Sequence, residues 1–442
     1  MTNYWFFALG IILFIVGLAI SIGLHELGHL IPAKIFKVPV SKYFIGFGPT
    51  IFSRKKGETE YGLKAIPLGG YISIAGMYPP RPADAKPSRM PGIWRKIVQD
   101  AQDSNAESIQ GFDESRAFYH LPAWKRIIVM FGGPFMNLVL AFVLFAIVLV
   151  GFGKPGTTTT VSAVSPCIYA VNASQKACDA KSPVAPAATA GLLAGDKLIS
   201  IDGKSVTNWA AGTSIIQRSA GKPLSFVVER AGKPVTLSIT PITAERYLVD
   251  TAGNQVLGKD GKPVLGTVGV IGMVPQTGLV PQPLTSVFST MGDTISGTVG
   301  LLGNLPNKMV GVSTAAFSNE PRSIDSPISV VGVGRVAGEI AGTSQITPES
   351  KIATGLSVLA SLNIALFIFN LIPLLPLDGG HIASALFDAG RRQIAKLRRK
   401  KDPGPFDASV LMPVTFVVMA LLMAMSALLI YADIVKPISI FG

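Results

Sequence analysis

The chain has 442 residues, 49% of them hydrophobic and only 15% charged, a balance too apolar for an ordinary soluble enzyme. Its formal net charge of +13 would suit a nucleic-acid partner, but the basic residues cluster beside long uncharged runs. Topology and anionic lipid headgroups therefore account for the excess, and no nucleic-acid partner is expected.

Four uncharged runs, 4–24, 127–153, 352–377 and 408–432, are long enough to cross a membrane. They imply the fold class of an α-helical polytopic membrane protein with about four transmembrane helices. The first run has no basic residue before it and no small-residue cleavage site, so it is expected to be a retained span and not a secretory signal. It leads directly into "SIGLHELGHL", residues 21–30, and the first segment is taken as 1–36. His25, Glu26 and His29 form HExxH, which puts two imidazoles one helical turn apart on one face. That spacing lets both bind one Zn²⁺, with the neighbouring carboxylate placed as general base. The bland alternative is a salt-bridged surface turn. Against it, an unneeded acid inside a span costs about 2.5–3.5 kcal/mol at the helix centre and less near the interface.

Residues 37–123 carry basic clusters at Arg54, Lys55, Lys56 and Arg95, Lys96, and Lys125 and Arg126 follow at the start of the second span. Within them, "YGLKAIPLGGYISIAGM", 61–77, has strand-like residues around Pro67, Gly69 and Gly70 and reads as a hairpin too short to span. The stretch 79–110, rich in Pro, Ala, Asp and Ser, reads as a flexible loop. The second span, segment 124–153, carries Asn137, for which an interhelical hydrogen bond is the plain reading.

The middle region holds Cys167 and Cys178 in a Pro, Ser and Ala-rich insertion, and the sequence predicts a bond between them over free thiols. The connector 276–351 includes an apolar stretch, 284–305, broken by Asp293 and four glycines. It reads as an amphipathic interfacial helix, because a fifth span would invert the topology. The third span lies in segment 352–390 and runs into "NLIPLLPLDGGHI". A basic loop, 391–407, and the fourth span with its tail, 408–442, complete the chain. By the positive-inside rule the basic loops are cytoplasmic, and both termini and the middle region are outside. Spans one and three then both run inward, and at ~1.5 Å per residue His25 lies ~30 Å down, near the level of Asp378. A catalytic zinc site needs a third protein ligand, and Asp378 is the carboxylate placed to supply it. The alternatives are an N-cap role for Asp378 and His381 as the third ligand.

These residues resemble the site-two protease family of zinc intramembrane proteases, specifically the bacterial branch with a PDZ domain that cleaves anti-sigma factors. The resemblance rests on HELGH, on "GFGPTIFSRKKGETEYGLKAIPLGGY" (46–71), on "WKRIIVMFGGPFMN" (124–137) and on "NLIPLLPLDGG" (370–380). It implies His25, His29 and Asp378 as zinc ligands and Glu26 as catalytic base. It also implies Asn370, and the Gly133, Pro134, Asn137 motif, as substrate-binding or site-supporting groups. The strand with Gly69 and Gly70 is implied to be a membrane-dipping hairpin whose edge pairs with an extended substrate, since a helix hides its peptide carbonyls. "AGLLAGDKLISIDGKSV", 190–206, resembles the helix-turn-strand segment of a PDZ fold, so 154–275 is expected to be one extracytoplasmic PDZ-like α/β domain. Its implied role is to contact substrate or to act as a size filter. "DSPISVVGVGRVAGE", 325–339, matches a family element except at Ser326, where glycine is usual.

The expected function is zinc-dependent cleavage of a single-span plasma-membrane protein, an anti-sigma factor after a first extracytoplasmic cut. A membrane metal-ion transporter would put polar sites along several spans and show internal repeats, and no repeat is detectable. A non-catalytic PDZ scaffold would not need Glu26.

Overall fold

A computed structural model describes residues 3–80, 92–169, 178, 182–250 and 255–440. The described chain divides into two units, Met1–Val148 with Pro283–Gly442, and Leu149–Gln282.

The first unit is built on four helices long and apolar enough to cross a membrane. α1 is Tyr4–Ile35, opened by an Asn3 side-chain cap on the Trp5 amide. It therefore carries the HELGH motif inside the same continuous helix, past the uncharged run. The chain then makes a long hairpin of β1, Val40–Lys56, and β2, Thr59–Ile74, turning at Gly57 with φ 63°. Residues 61–77 are thus not a hairpin by themselves. Residues 61–74 lie within one strand whose partner is upstream, and Gly69, at φ 139°, marks a bend within it and not a turn. The hairpin folds back so that Tyr43 pairs with Ile72 on one side and Tyr61 on the other.

α2 is Gly92–Ile109, which corrects the expectation of a loop over 79–110 for all but its first part; 81–91 lie outside the described residues. The helix is held by side-chain bonds to distant segments. Asn105 exchanges hydrogen bonds with the Tyr78 backbone, and Gln102 donates to Asp407 Oδ2 and Ser409 Oγ at 2.8 and 3.0 Å. The second spanning helix is α3, Ala123–Ala146, extended by a π-helical turn over Ile147–Phe152. Beyond the second unit come α6, Thr285–Gly303, α7, Leu305–Phe317, and α8, Val330–Gly342. α6 is not among the four spans. The third span is α9, Pro348–Asn370, which stops before the LDGG motif. α10, Asp378–Leu397, starts at the motif's aspartate, and α11, Met412–Val435, is the last span.

Apolar side chains on these helices point outward and polar ones inward. Trp5, Ile12, Leu13, Phe416, Val417 and Leu421 are exposed, while Ser21, His29, Asn137 and Asn363 are buried. In a lipid solvent this is the expected arrangement, since lipid accepts hydrocarbon and each buried polar group needs a protein partner. Asn363 donates its amide to Ser21 Oγ at 3.0 Å and to the Leu359 carbonyl, joining α9 to α1. Close helix contact depends on glycine: a Cβ on Gly28 would lie 2.2 Å from the Gly132 carbonyl oxygen, so α1 and α3 touch backbone to backbone.

The second unit contains an antiparallel sheet. Its strands are β3 (Lys154–Val164), β4 (Lys197–Ile201), β5 (Lys204–Ser205), β6 (Leu224–Arg230), β7 (Lys233–Ile239) and β10 (Met273–Val280). The order is β10-β3-β4-β6-β7, with β5 on β4. A separate pair joins β8, Ile242–Tyr247, to β9, Leu265–Val270. Two helices complete it, the single turn α4, Pro186–Thr189, and α5, Trp209–Gln217. Leu192, Leu198, Ile201, Phe226, Val228 and Ile239 form its core, which fits the alternating burial of β6. Cys167 and Cys178 are disulfide-bonded.

Candidate metal centre

The HELGH turn of α1 presents His25 Nε2 and His29 Nε2 side by side, 3.3 Å apart. Asp378, from the start of α10, brings Oδ2 to 3.3 Å from the first and 3.4 Å from the second. Two donors from one helical turn and a third from far along the chain thus form a nearly equilateral triangle. A tetrahedral zinc with bonds of about 2.0–2.1 Å has ligand-to-ligand edges of about 3.3–3.4 Å, so the donor set fits that ion. The chemistry of the donors agrees. His29 Nδ1 lies 2.8 Å from the Val129 carbonyl, which only accepts. Nδ1 must then carry the proton, and Nε2 is left as a bare lone pair. Asp378 Oδ2 is buried without a hydrogen-bond partner, an expensive state unless a cation satisfies it. The side chains of His25, His29 and Asp378 are only 12, 5 and 17% exposed, so bulk water does not compensate.

His25 is oriented by Asn137, whose amide lies 3.1 Å from His25 Nδ1 while its own Oδ1 is buried and unpaired. Nitrogen and oxygen of an amide are interchangeable at the level of shape. With Oδ1 turned toward His25, it accepts the Nδ1 proton and leaves His25 Nε2 free as a ligand. Each imidazole then has its outer nitrogen tied to α3, one by a carbonyl and one by an amide, as ligating histidines generally do.

Glycines make room for this arrangement. A Cβ on Gly133 would lie 2.2 Å from His29 Nε2 and 2.8 Å from His25 Cε1, so α3 can pass the two rings only with glycine there. A Cβ on Gly70 would lie 3.2 Å from Glu26 Cγ, which places β2 directly beside the motif's carboxylate.

The structure places the alternatives open at the sequence level as follows. Asp378 does not cap its helix: Leu377 holds the N-cap position and no side-chain cap bond forms. His381 is not part of the donor group; its ring lies 6.1 Å from that of Tyr78. Asn370 is the last residue of α9, half-buried, and its amide has no hydrogen-bond partner among the described residues. Gly69 packs against the Phe47 ring, from which a Cβ would be 2.0 Å away. Sequence reasoning does not find the Val129 carbonyl, since a backbone group leaves no mark in residue identity.

Comparison with known proteins agrees with this chemistry. The model of peptidase family M50 matches residues 13–403. The chain belongs to peptidase family M50. This M50 member is 32% identical to the zinc metalloprotease Rip1 of Mycobacterium tuberculosis over 98% of its own length and 99% of that protein's. The Rip1 of Mycolicibacterium smegmatis is 31% identical over the same shares. The metalloprotease MmpA of Caulobacter vibrioides is 28% identical over 84% of each chain. The M50 protein is thus a zinc metallopeptidase of the site-two type, and a multi-pass membrane protein by its four apolar helices.

Proposed function

We propose that His25, His29 and Asp378 hold the zinc and that Glu26 is the general base for hydrolysis of a peptide bond in a single-span membrane protein. The observation that carries this reading is the buried triangle of donors within a spanning helix and its neighbour, with Oδ2 of Asp378 unpartnered. Zinc in such a site supplies Lewis acidity and lowers the pKa of a water to about 7. Glu26 takes a proton from the attacking water and delivers it to the leaving amine as the carbon–nitrogen bond breaks. Val129 and Asn137 keep both imidazoles in the ligating tautomer. Asn137 is a positioning residue in this reading, and Asn370 is left as the group available to an incoming peptide.

The substrate lies extended along the outer edge of 70–74, which has no strand partner among the described residues and passes beside Glu26. The second unit is a PDZ-like domain on the extracytoplasmic side, with the basic loops in the cytoplasm. A groove of about 380 Å³ in it, lined by α5 residues such as Trp209 and Ile216 and by Gly269–Val274, is suited to a peptide. That unit admits substrates already trimmed of their outer domain, and the substrate class is an anti-sigma factor after a first cut.

Co-expression with a tagged single-span substrate tests this. The trimmed form is cleaved, the untrimmed form is not, and Glu26→Gln cleaves neither. Wild-type cleavage by Glu26→Gln would refute the assigned base; equal cleavage of both forms would refute the size filter.

A further inference from the structure

In the folded-back hairpin, residues 40–45 run between 60–63 on one side and the 70–74 edge on the other, with Tyr43 opposite Tyr61 and Ile72. Two kinds of contact hold this sheet against α1. The first is apolar. A Cβ on Gly70 would lie 2.9 Å from Ile22 Cγ2 and 3.2 Å from Glu26 Cγ, and one on Gly23 would lie 2.7 Å from Ile45 Cδ1. Contact of this kind sets the spacing between strand and helix, but it is non-directional and does not stop one from sliding along the other. The second is polar. Among the described residues two side-chain hydrogen bonds join the sheet to α1: Tyr43 Oη donates to the Gly23 carbonyl at 2.7 Å, and Lys34 Nζ donates to Tyr61 Oη.

The two bonds differ in place. Lys34 stands about 12 Å beyond Glu26 along the helix, at ~1.5 Å per residue, whereas Gly23 lies within one turn of both His25 and Glu26. A helical carbonyl that accepts its ladder amide keeps a second lone pair, and glycine leaves the approach to it open: the place of a Cβ on Gly23 is 3.6 Å from Tyr43 Oη. The Tyr43 ring is half-buried, a setting in which a hydrogen bond is stronger than in water and an unmade one costs more. The hairpin is thus tied by a directional bond to one peptide unit of the segment that carries the motif. Tyr43 is also directly opposite Ile72, so the tie reaches the 70–74 edge across a single strand pairing.

We infer that Tyr43 is a positioning residue: its bond to Gly23 fixes the register of the 70–74 edge along α1, and so selects which peptide bond of a docked substrate stands at the metal centre beside Glu26. This rests on the proposed docking of substrate along 70–74. An extended peptide advances about 3.3 Å per residue, so a slide of the sheet by that distance presents a neighbouring peptide bond.

The test uses the purified full-length protein in detergent with a tagged, trimmed single-span substrate, and mass spectrometry of the product termini. Tyr43→Phe keeps the ring and its contact with the Tyr61 ring, centroids 5.7 Å apart, and removes only the hydroxyl, so zinc content and Tm should match the wild type. Its kcat should fall about five- to tenfold with KM held within about twofold, and its product termini should spread to neighbouring bonds. Tyr61→Phe removes the other bond between sheet and helix and should leave the termini as in the wild type. Docking is read without turnover: in the Glu26→Gln background, a photoreactive benzoylphenylalanine in place of Tyr71 should capture the same substrate residue with and without Tyr43→Phe. Wild-type termini and kcat in Tyr43→Phe, with capture intact, overturn the role of Tyr43 and leave the docking standing. An equal spread in Tyr61→Phe overturns it as well, since any loosening of the sheet would then suffice. Loss of capture in both backgrounds removes the docked edge, and the inference with it.

Discussion

At the residue scale, the two imidazoles are set by what their outer nitrogens touch. His29 is held by a carbonyl, and His25 by one amide side chain. Asn137→Leu keeps the volume and removes the acceptor, so zinc affinity should fall about 10–100-fold, as read by competition with a chelator. Gly133→Ala puts a methyl group 2.2 Å from His29 Nε2, where neither the helix backbone nor the ring can yield cheaply. The purified variant should carry little zinc while its helices still form, measured by metal analysis and far-UV circular dichroism. Much of this site is legible in the sequence. The HExxH spacing dictates that His25 and His29 share a face, and the expectation that spans one and three run the same way across the membrane singles out Asp378 by depth. An interhelical hydrogen bond is legible for Asn137, but its partner and the part of the Val129 carbonyl are not, because nothing in the sequence says which face of α3 meets α1 until Gly28 and Gly132 bring the backbones together.

At the scale of elements, the spans are readable because lipid imposes length: about twenty apolar residues are needed whatever the tertiary packing. The hairpin is misplaced by a reading from composition, because Pro67, Gly69 and Gly70 are turn-forming residues while the actual turn at Gly57 sits in a polar, basic stretch. Those small residues serve another purpose, letting β2 bend past α1. Gly70→Val would press a branched side chain against Ile22, the Phe44 carbonyl and Glu26 and push the strand outward. Zinc content should be unchanged, while kcat/KM falls on the order of 10²-fold, the cost of about 1 Å of misplacement. The helix α2 escapes a reading from composition, because Pro, Ala, Asp and Ser dominate 79–110 while the helical spacing of Trp94, Ile97, Val98 and Ala101 is a short signal within it, and Gln102 and Asn105 bind groups distant in sequence.

At the scale of the whole molecule, the two units differ in what holds them. The first adds buried polar contacts between its helices to apolar clusters such as that of Leu30, Val40, Ile74 and Met130; the second has an apolar core that includes a charged link. In that link, Asp196 is buried, accepts the Leu193 amide and pairs with Arg230 at 2.7 and 2.8 Å. Hydrogen bonds from Arg230 hold its carboxyl below the usual range. A carboxyl lowered in the folded state contributes stability that is fully present above its unfolded pKa of about 3.9 and is lost as pH falls toward the folded value. Protection of the β4 and β6 amides against exchange, relative to the intrinsic rate at each pH, should therefore fall below about pH 4 in the wild type. In Arg230→Ala that dependence should be largely absent.

The central claim is that three residues hold the metal and a fourth does the proton transfer. Zinc content and cleavage of a trimmed single-span substrate, measured together on wild type, Asp378→Ala and Glu26→Gln, separate these roles. Asp378→Ala should lose both metal and activity, and Glu26→Gln should keep the metal and lose activity. If Asp378→Ala retained both zinc and full cleavage, the aspartate would not be the third ligand, and the account of the site would be contradicted at its base.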